Sequence, residues 1–411
     1  MKLRQRYFNF QEDAEAAFAA IGCDDAGIQI MKEKALFCCF ELKDISLRAA
    51  IILKQEMMAL GGEVVVSREV MTLQPEKTTV IILGTEKQYA KLWQKLAQQP
   101  FGCKEVALLL KEYLERKKAA TEKQEFDIGG KKISFAKPVI MGIVNITPDS
   151  FFDGGKYLNT EAAVQHAKQL VADGADILDL GAESTKPGSD PVKEEEELRR
   201  LLPVLDALQE SPEIKVPISI DTYKPAVAEA CIKRGAHIIN DITGMQNPKM
   251  REIAAQYRVP IIIMHMQGSP KTMQENPQYV NVVDDILDFL QQQIQVCHGE
   301  GIRQIICDPG IGFGKTVKQN LEILNRLKEF EMLHVPLMIG TSRKSFIGKI
   351  VGGNADDRLE GTIASNVVAL ANNGHIFRVH DVKQCRRALD MTAAILRVKR
   401  ESKEERKEKA A

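Results

Sequence analysis

The sequence has no excess of charge of either sign, since its 411 residues include 56 lysines and arginines and 56 aspartates and glutamates. It also lacks a stripe of basic residues with aromatic residues interleaved, which is typical of nucleic-acid-binding surfaces. Both absences argue against a charge-driven partner. We therefore expect no nucleic-acid partner.

Long apolar runs are also missing, and no segment is long enough to span a bilayer. The basic N-terminus, with Lys2, Arg4 and Arg6, is followed by the acidic residues Glu12 and Asp13. A secretory signal peptide would have an apolar stretch there. The sequence therefore predicts a cytoplasmic protein without a membrane partner.

The eight cysteines are scattered and include no C-x-x-C pair. Most of them lie in apolar segments. Buried free thiols are therefore expected in preference to disulfides or a zinc site.

The length of the chain allows two or three domains. Residues 1–120 are predicted to form a small α/β domain, to which the sequence assigns no role. Its strand-like runs lie at 27–31, 35–42, 63–66 and 78–83, and its helical patterns at 11–20, 47–60, 86–98 and 104–116.

Three further segments complete the predicted domain organisation. Residues 121–136 are expected to contain a linker and a hairpin, because alternating apolar residues flank Gly129 and Gly130. Residues 137–400 form the largest domain. Residues 401–411 are almost entirely charged or alanine, which predicts a solvated tail.

The domain at 137–400 repeats a strand and a helix eight times. The predicted strands are 139–145, 177–182, 217–221, 237–241, 260–265, 304–308, 336–340 and 376–380. The predicted helices are 161–172, 194–208, 226–234, 249–257, 282–297, 317–329, 358–372 and 382–397. Near-continuous apolar strands are typical of a parallel sheet that is buried on both faces. The pattern predicts a (β/α)8 TIM barrel, with an open doubly wound sheet as the alternative.

Nearly every predicted barrel strand ends in a polar or ionisable side chain. These residues are Asn145, Asp179 with Glu183, Asp221, Asn240 with Asp241, His265, Asp308, Ser342 to Lys344, and Arg378 with His380. Each has a structural explanation when taken alone: Asp241 and Glu183 as capping or supporting residues, and His265 as a hydrogen-bonded core histidine. Eight strands ending in this way together favour an active site, because the strand ends of a barrel converge on one face.

The strand-end residues divide into two groups by their chemistry. Asn145, Arg378 and His380 belong to the first and eighth strands and suit an anion together with Mg²⁺. The acceptors at strands three, four and six suit a neutral heterocycle that is rich in N–H donors, such as an aminopyrimidinone ring. These acceptors are Asp221, Asn240 and Asp308, and Lys344 would reach a ring carbonyl.

Two loops allow more than one interpretation. The loop after the first barrel strand contains Phe151 and Phe152 between Pro148 and two glycines. Taken alone, it could be a ligand lid or an ordinary connection whose aromatic residues enter a local core. The polar residues at the other seven strand ends favour a mobile lid formed by Thr147 to Phe151, which would complete the site once the first ligand is bound. The segment GIGFGKT at 310–316 resembles part of a phosphate-binding loop, but its glycines lie too close to the lysine. We therefore expect a glycine-rich turn there and no ATP site.

The motifs of the barrel together resemble those of the dihydropteroate synthases, the enzymes of the folate pathway. They read MGIVNITPDSF, DLGAESTKPG, SIDT, NDITG, IIMHM, DPGIGFGKT, TSRKSFIG and FRVHDV, and they extend over about residues 125–400. The resemblance implies a (β/α)8 fold and a transferase. In that reaction 7,8-dihydropterin-6-ylmethyl diphosphate condenses with 4-aminobenzoate to give 7,8-dihydropteroate and pyrophosphate.

The resemblance also implies roles for individual residues and a homodimer formed through the barrel helices. The implied pterin-binding residues are Asp221, Asn240, Met264, Asp308, Phe313 and Lys344, and the diphosphate-binding residues are Asn145, Arg378 and His380. The implied 4-aminobenzoate-binding residues are Thr147, Pro148, Phe151, Thr185, Lys186, Pro187 and Ser345. Asn145 would ligate Mg²⁺. Asp221 would stabilise a pterin-methyl cation, with Lys344, Asn145, Arg378 and His380 completing the catalytic set.

Two residues depart from the family pattern. Lys186 stands where the family usually has arginine, so the bidentate fork is lost, and Phe152 stands where serine is common. Two other functions are considered. A methyltetrahydrofolate:corrinoid methyltransferase would share the pterin set but would not need Arg378 and His380. A catalytically silent binding protein would be expected to have lost these anion-binding residues. The N-terminal domain could serve regulation or oligomerisation.

Overall fold

The computed structural model describes residues 1, 6–8, 11–72, 74, 76–122, 125–147, 156–184, 189–354 and 356–397. The chain divides into two compact units, the first built on Met1–Thr121 and the second on Glu122–Leu396. None of the described helices is long and apolar enough to cross a membrane.

The first unit contains a three-stranded antiparallel sheet in the order β1-β3-β2. Its elements are α1 (Gln11–Ala20), α2 (Asp25–Lys32), β1 (Phe37–Ser46), α3 (Leu47–Ala59), β2 (Glu63–Val65), a 3₁₀ helix (Arg68–Thr72), β3 (Lys77–Thr85), α4 (Glu86–Leu96) and α5 (Cys103–Glu122). Its core combines Leu53 and Met57 of α3 with Val80 and Ile82 of β3 and Leu92 of α4. The prediction of a small domain with both helices and strands is confirmed.

One strand prediction in this unit is wrong, because residues 27–31 lie inside helix α2. The side chain of Asp24 caps this helix by accepting a hydrogen bond from the Gly27 amide at 2.8 Å. Only Ile28 of the segment is buried. An apolar run of this length does not distinguish a strand from a helix by its period.

The second unit begins with an antiparallel hairpin, β4 (Glu125–Ile128) and β5 (Lys131–Ser134). Gly129 and Gly130 form the turn with φ angles of 61° and 79°. Positive φ at both central residues is typical of a tight hairpin turn and favours glycine. The predicted hairpin is confirmed.

Eight parallel strands follow and form the barrel. They are β6 (Val139–Asn145), β7 (Ile177–Gly181), β8 (Ile218–Asp221), β9 (Ile238–Asp241), β10 (Ile261–Met264), β11 (Ile305–Asp308), β12 (Met338–Ile339) and β13 (Ile376–Val379). Their order is β11-β10-β9-β8-β7-β6-β13-β12, and a parallel bridge between Cys307 and Leu337 joins the two ends. The predicted (β/α)8 barrel is therefore confirmed, and the open doubly wound sheet is excluded.

The helices of the barrel begin and end close to their predicted positions. They are α6 (Lys156–Ala172), α7 (Glu194–Gln209), α8 (Pro225–Ile232), α9 (Pro248–Tyr257), α10 (Val282–Gly299), α11 (Val317–Asn325), α12 (Ser345–Val351), α13 (Leu359–Ala371) and α14 (Val382–Leu396). The predicted helix 317–329 is in fact two elements, because a 3₁₀ helix, Leu327–Leu333, follows α11. The short helix α12 has no counterpart in the prediction.

The cysteines of the barrel lie in its apolar interior. Cys231, Cys297, Cys307 and Cys385 are buried and free, and so is Cys103 of the first unit. Burial raises the pKa of Cys231 and of Cys297 to about 12. Thiols with such pKa values are inert at neutral pH.

The hairpin closes the N-terminal end of the barrel. Ile128 and Ile133 belong to one buried cluster with the first inward-facing residues of the strands, such as Ile177, Ile238 and Ile376. The approach is close, because a Cβ added to Gly129 would lie 1.9 Å from Cδ2 of His237. One end of the barrel interior is therefore filled by apolar side chains, which leaves the opposite end for polar chemistry.

Replacing Ile128 by alanine should destabilise the barrel by about 3 kcal/mol, because Ile128 is fully buried and its loss leaves a cavity at the closed end. Urea unfolding followed by circular dichroism measures the change. Lys132→Ala on the exposed side of the same hairpin is the control and should change stability by less than about 0.5 kcal/mol. Equal unfolding midpoints for the two variants would contradict the proposed closure.

Candidate active site

Arg378 of β13 connects three strands at the C-terminal end of the barrel. Its Nε donates to Oδ2 of Asp179 on β7 at 2.6 Å, and its Nη2 donates to Oδ2 of Asp221 on β8 at 2.6 Å. Asn240 of β9 donates from Nδ2 to the same Asp179 oxygen at 3.2 Å. Four residues from four barrel strands therefore form one hydrogen-bonded network, which we call the Arg378 network.

Asp179 is the centre of the Arg378 network and is fully buried. Its second oxygen, Oδ1, is buried without a hydrogen-bond partner among the described residues. The strand-end pattern includes Asp179, but the resemblance assigns it no role. A charged residue in the middle of the apolar strand ILDLG is the feature from which such a role could have been predicted.

Asp221 combines burial with an ion pair. Burial raises the pKa of Asp221 above its usual range, while the adjacent guanidinium of Arg378 acts in the opposite direction. The side chain remains 12% exposed, so it faces the open end of the barrel. It is a carboxylate that a bound ligand could contact directly.

A second charged group lies at β11 and the turn that follows it. Asp308 is buried, and its Oδ1 accepts a hydrogen bond from the Gly310 amide at 2.7 Å. The ammonium of Lys344 donates to the Ile311 carbonyl and lies 4.7 Å from the ring centroid of Phe313. Burial lowers the pKa of Lys344 to about 8, and Asp308 opposes this shift. A lysine, a carboxylate and an aromatic ring therefore lie next to one another at this end of the barrel.

His380 is held beside Arg378 by a serine. Its Nδ1 lies 3.0 Å from Oγ of Ser342, and its backbone amide donates to the same oxygen at 3.2 Å. Burial, together with the nearby charges of Arg378 and Arg343, lowers the pKa of His380 to about 4. The imidazole is therefore neutral near pH 7.

The structure describes some of the remaining predicted ligand residues but not all of them. Asn145 ends β6, next to β7 on one side and β13 on the other, and is partly buried. Met264 is buried at the end of β10, Thr147 is partly buried, and Ser345 is exposed at the start of α12. The other predicted ligand residues lie outside the described part of the chain, and so does the predicted lid beyond Thr147. These residues are Pro148, Phe151, Phe152, Thr185, Lys186 and Pro187.

Asp241 and Glu183 have the capping and supporting roles that were considered for them. Asp241 caps a turn by accepting from Thr243 at 2.7 Å and from the Met245 amide at 3.0 Å. Glu183 accepts from the hydroxyl of Tyr223 at 2.9 Å and from the ammonium of Lys224.

His265 is also structural. Its Nδ1 lies 3.1 Å from Nζ of Lys315, and its ring packs edge-on against Phe289 at 5.1 Å. Burial lowers the pKa of His265 to about 3, so the ring is a neutral hydrogen-bond partner.

The described residues contain no group of three or more histidine, cysteine, aspartate or glutamate side chains that could hold a metal ion. The carboxylates of Asp179 and Asp221, at the C-terminal end of the barrel, are already paired with Arg378. Asn145 offers a neutral amide oxygen at the same end of the barrel. This donor set fits Mg²⁺ only where ligand phosphate and water complete the shell, which is how Mg²⁺ commonly binds.

Residues 141–380 match the family model described as pterin binding enzyme. Dihydropteroate synthase of Clostridium beijerinckii is 44% identical over 278 residues, which cover 67% of this chain and 98% of that protein. A structure of the Xanthomonas albilineans dihydropteroate synthase with 4-aminobenzoic acid is 38% identical, with a TM-score of 0.63. It covers 67% of this chain and 99% of that one.

A third relative extends beyond the barrel. It is the Haloferax volcanii protein named "Probable bifunctional folylpolyglutamate synthase/dihydropteroate synthase", which is 36% identical over 358 residues. The alignment covers 84% of this chain and 42% of that protein. Because this share exceeds the part of the chain in the second unit, Glu122–Leu396, the alignment also includes part of the first unit.

His380→Gln should make the stability of the protein less sensitive to acid. Free histidine has a pKa of about 6.5, and burial lowers the pKa of His380 to about 4. Between these values the unfolded chain binds a proton that the folded protein does not. The stability that His380 contributes above pH 6.5 is therefore lost as the pH falls toward 4.

The variant should avoid a loss of about 3 kcal/mol over that range, measured as the difference between urea unfolding free energies at pH 6.5 and pH 4. Ser342→Ala is the control, because it removes the hydroxyl partner of His380 but no titratable group. Its pH dependence should stay close to that of the wild type. Identical slopes for His380→Gln and the wild type would show that this histidine is not the group responsible.

Proposed function

This chain belongs to the pterin binding enzymes and, within them, to the dihydropteroate synthases, and on that premise we propose how its barrel performs the reaction. The enzyme condenses 7,8-dihydropterin-6-ylmethyl diphosphate with 4-aminobenzoate and releases pyrophosphate and 7,8-dihydropteroate. We assign this chemistry to residues 137–400 and none of it to residues 1–120. The observation that carries the assignment of residues is the Arg378 network, which brings the proposed pterin and diphosphate groups together.

The pterin heterocycle is assigned to the pocket beside Asp308 and Lys344. Asp221, Asn240 and Asp308 supply oxygen acceptors for the N–H groups of the ring, and the Lys344 ammonium donates to its carbonyl oxygen. Phe313 and Met264 supply apolar surface for its faces. The buried position of Asp308 makes an unpaired carboxylate costly there, so a ligand that donates to it is favoured over water or an apolar compound.

The diphosphate is assigned to the open side of the Arg378 network. Arg378 uses Nε and Nη2 for the two aspartates, so its guanidinium is held rigidly at the meeting point of β7, β8 and β13. His380 lies beside it as a neutral imidazole that can donate from Nε2, because Nδ1 faces Ser342. Asn145 would hold Mg²⁺ against the diphosphate. When bound, the ion supplies neutralisation of the leaving group.

The proposed reaction begins with ionisation of the C–O bond to the diphosphate. The electron pair leaves with pyrophosphate, whose charge Arg378 offsets, and the resulting pterin-methyl cation lies next to the carboxylate of Asp221. The amine of 4-aminobenzoate then donates its lone pair to that carbon and loses one proton. Thr147 and Ser345 are the described residues that we assign to the 4-aminobenzoate, because they flank Asn145 and Lys344 along the chain.

A corrinoid methyltransferase would use a similar pterin pocket. It has no diphosphate to bind, so it gives no reason for an arginine on β13 and a histidine directly after the end of that strand. A relative that is 44% identical over 278 residues carries the name of the synthase. We therefore retain the synthase reaction.

We also propose that the protein is cytoplasmic and forms a homodimer. The outer surface of the barrel carries exposed apolar residues on α13 and α14, namely Val368, Met391 and Ile395. These two helices pack side by side, so the residues can form one apolar surface. Light scattering of the full chain should give twice the 45.8 kDa of one chain.

The reaction is tested by mixing the full chain with the pterin diphosphate, 4-aminobenzoate and Mg²⁺ and measuring pyrophosphate release. Release should require both substrates and should fall by at least about tenfold when EDTA replaces Mg²⁺, because the leaving group then keeps its charge. Pyrophosphate release without 4-aminobenzoate would indicate hydrolysis. No release under any condition would refute the synthase assignment.

Two substitutions separate the pterin site from the diphosphate site. Lys344→Ala should weaken binding of 6-hydroxymethylpterin about 100-fold, because a charged donor to the ring is lost from a buried site. Arg378→Ala should raise KM for the pterin diphosphate by a similar factor and reduce stability by about 3 kcal/mol, because Asp179 and Asp221 are left unpaired. Calorimetry, steady-state kinetics and urea unfolding provide the three measurements.

The matched controls are Lys349→Ala and Arg387→Ala, which remove exposed charges from the neighbouring helices α12 and α14. Both should retain the affinity, KM and stability of the wild type. If either active-site variant keeps wild-type affinity for its ligand, the corresponding site assignment is wrong.

A further inference from the structure

We propose that Lys315 is a positioning residue of the pterin site, where its ammonium fixes the glycine-rich turn 310–316 in the shape that the site requires. This inference rests on the proposed function. The sequence shows a lysine in GIGFGKT that resembles a phosphate-binding residue, and the roles assigned above to other residues leave it without one. The structure gives it a different kind of partner.

The Lys315 ammonium points inward and is saturated by the protein itself. The residue is only 3% exposed. Its Nζ lies 2.9 Å from the Phe313 carbonyl oxygen, 3.0 Å from that of Gly310, and 3.3 Å and 3.1 Å from the carbonyl oxygen and Nδ1 of His265. An ammonium has three protons to donate, so four acceptors leave it none for a ligand. Lys315 therefore cannot contact a substrate phosphate as a phosphate-loop lysine does.

The turn that Lys315 holds is packed tightly against the chain after β10. Gly310 has a φ of 68°, and a Cβ there would lie 1.8 Å from the carbonyl oxygen of His265. Gly314 has a φ of 58°, and a Cβ there would lie 2.8 Å from the carbonyl oxygen of Gln267. Glycine is required at both positions. Two carbonyl-rich backbone segments thus approach each other, and the Lys315 ammonium lies between them as the shared donor.

Three features of the pterin site depend on the shape of this turn. The Gly310 amide donates to Asp308, the Ile311 carbonyl accepts from Lys344, and the Phe313 ring lies 4.7 Å from the Lys344 ammonium. Lys315 binds the carbonyl oxygens of Gly310 and Phe313, the first and last of these residues. Its two contacts therefore define the ends of the segment that carries all three features.

The charged groups around Lys315 provide a second line of support. Burial lowers the pKa of Lys315 to about 7, Asp308 raises it, and Lys344 lowers it. The pKa of Asp308 is raised chiefly by burial, while Lys344, Lys315 and Arg378 lower it. Lys315 thus acts on Asp308 electrostatically as well as through the Gly310 amide.

The test compares Lys315→Met with Lys318→Met, which makes the same change at an exposed position of α11. In the full chain, Lys315→Met should weaken binding of 6-hydroxymethylpterin by about 10- to 100-fold and raise KM for the pterin diphosphate similarly, because Phe313 and Lys344 lose their alignment. KM for 4-aminobenzoate should change by less than about twofold. Lys318→Met should match the wild type in all three.

A pH profile distinguishes positioning from a general loss of structure. Removing the Lys315 ammonium takes away one of the charges that lower the pKa of Asp308, so the acidic limb of pterin binding should move to higher pH in Lys315→Met. If both the pterin affinity and the acidic side of its pH profile are unchanged in Lys315→Met, the proposal is overturned. Equal losses for both substrates without a shift of the limb would also overturn it.

A second variant covers the case in which Lys315→Met does not fold. His265→Gln removes the imidazole partner and keeps the three carbonyl partners, so pterin affinity should fall by at least about threefold with KM for 4-aminobenzoate unchanged. Wild-type pterin affinity in His265→Gln would then refute the inference. Failure of the wild type and of Lys318→Met to bind the pterin would instead refute the proposed function, on which this inference rests.

Discussion

The bonds from Arg378 to Asp179 and Asp221 are the interaction on which the active end of the barrel depends. Two carboxylates this deep in a protein are costly unless a cation accompanies them. Arg378 supplies that cation from β13, and in doing so it fixes the spacing of β7 and β8 around itself. Asn240 joins the same oxygen and adds β9. Charge compensation therefore sets the geometry of this part of the site, and the turn 310–316 sets the geometry around Asp308 and Lys344.

Apolar packing at the opposite end of the barrel offsets the free-energy cost of these buried charges. There the hairpin residues Ile128 and Ile133 pack on apolar side chains of the strands. The helices add a second apolar layer outside the strands. Stability is concentrated at the closed end and on the outside, which permits buried charges at the open end. The eight parallel strands run from the closed end to the open end.

The sequence predicts the scaffold better than it predicts the connections between side chains. All eight barrel strands are found within a few residues of their expected limits, because each is an apolar run that stops at a polar residue. The helix α2 is missed because five residues carry too little periodicity. The roles of Asp179 and Lys315 are missed for another reason. Arg378 lies 199 residues from Asp179, and no local pattern shows that the two side chains meet.

The shared use of one guanidinium by two aspartates constrains how this enzyme can evolve. A mutation of Arg378 alone leaves two buried charges without a partner, and a mutation of either aspartate alone leaves the arginine with half of its support. A single substitution in the network is therefore expected to cost stability, about 3 kcal/mol for Arg378→Ala, because it leaves a charge without its partner. Substitutions outside the network avoid this cost, and the two residues that depart from the family pattern, Phe152 and Lys186, are not members of the network.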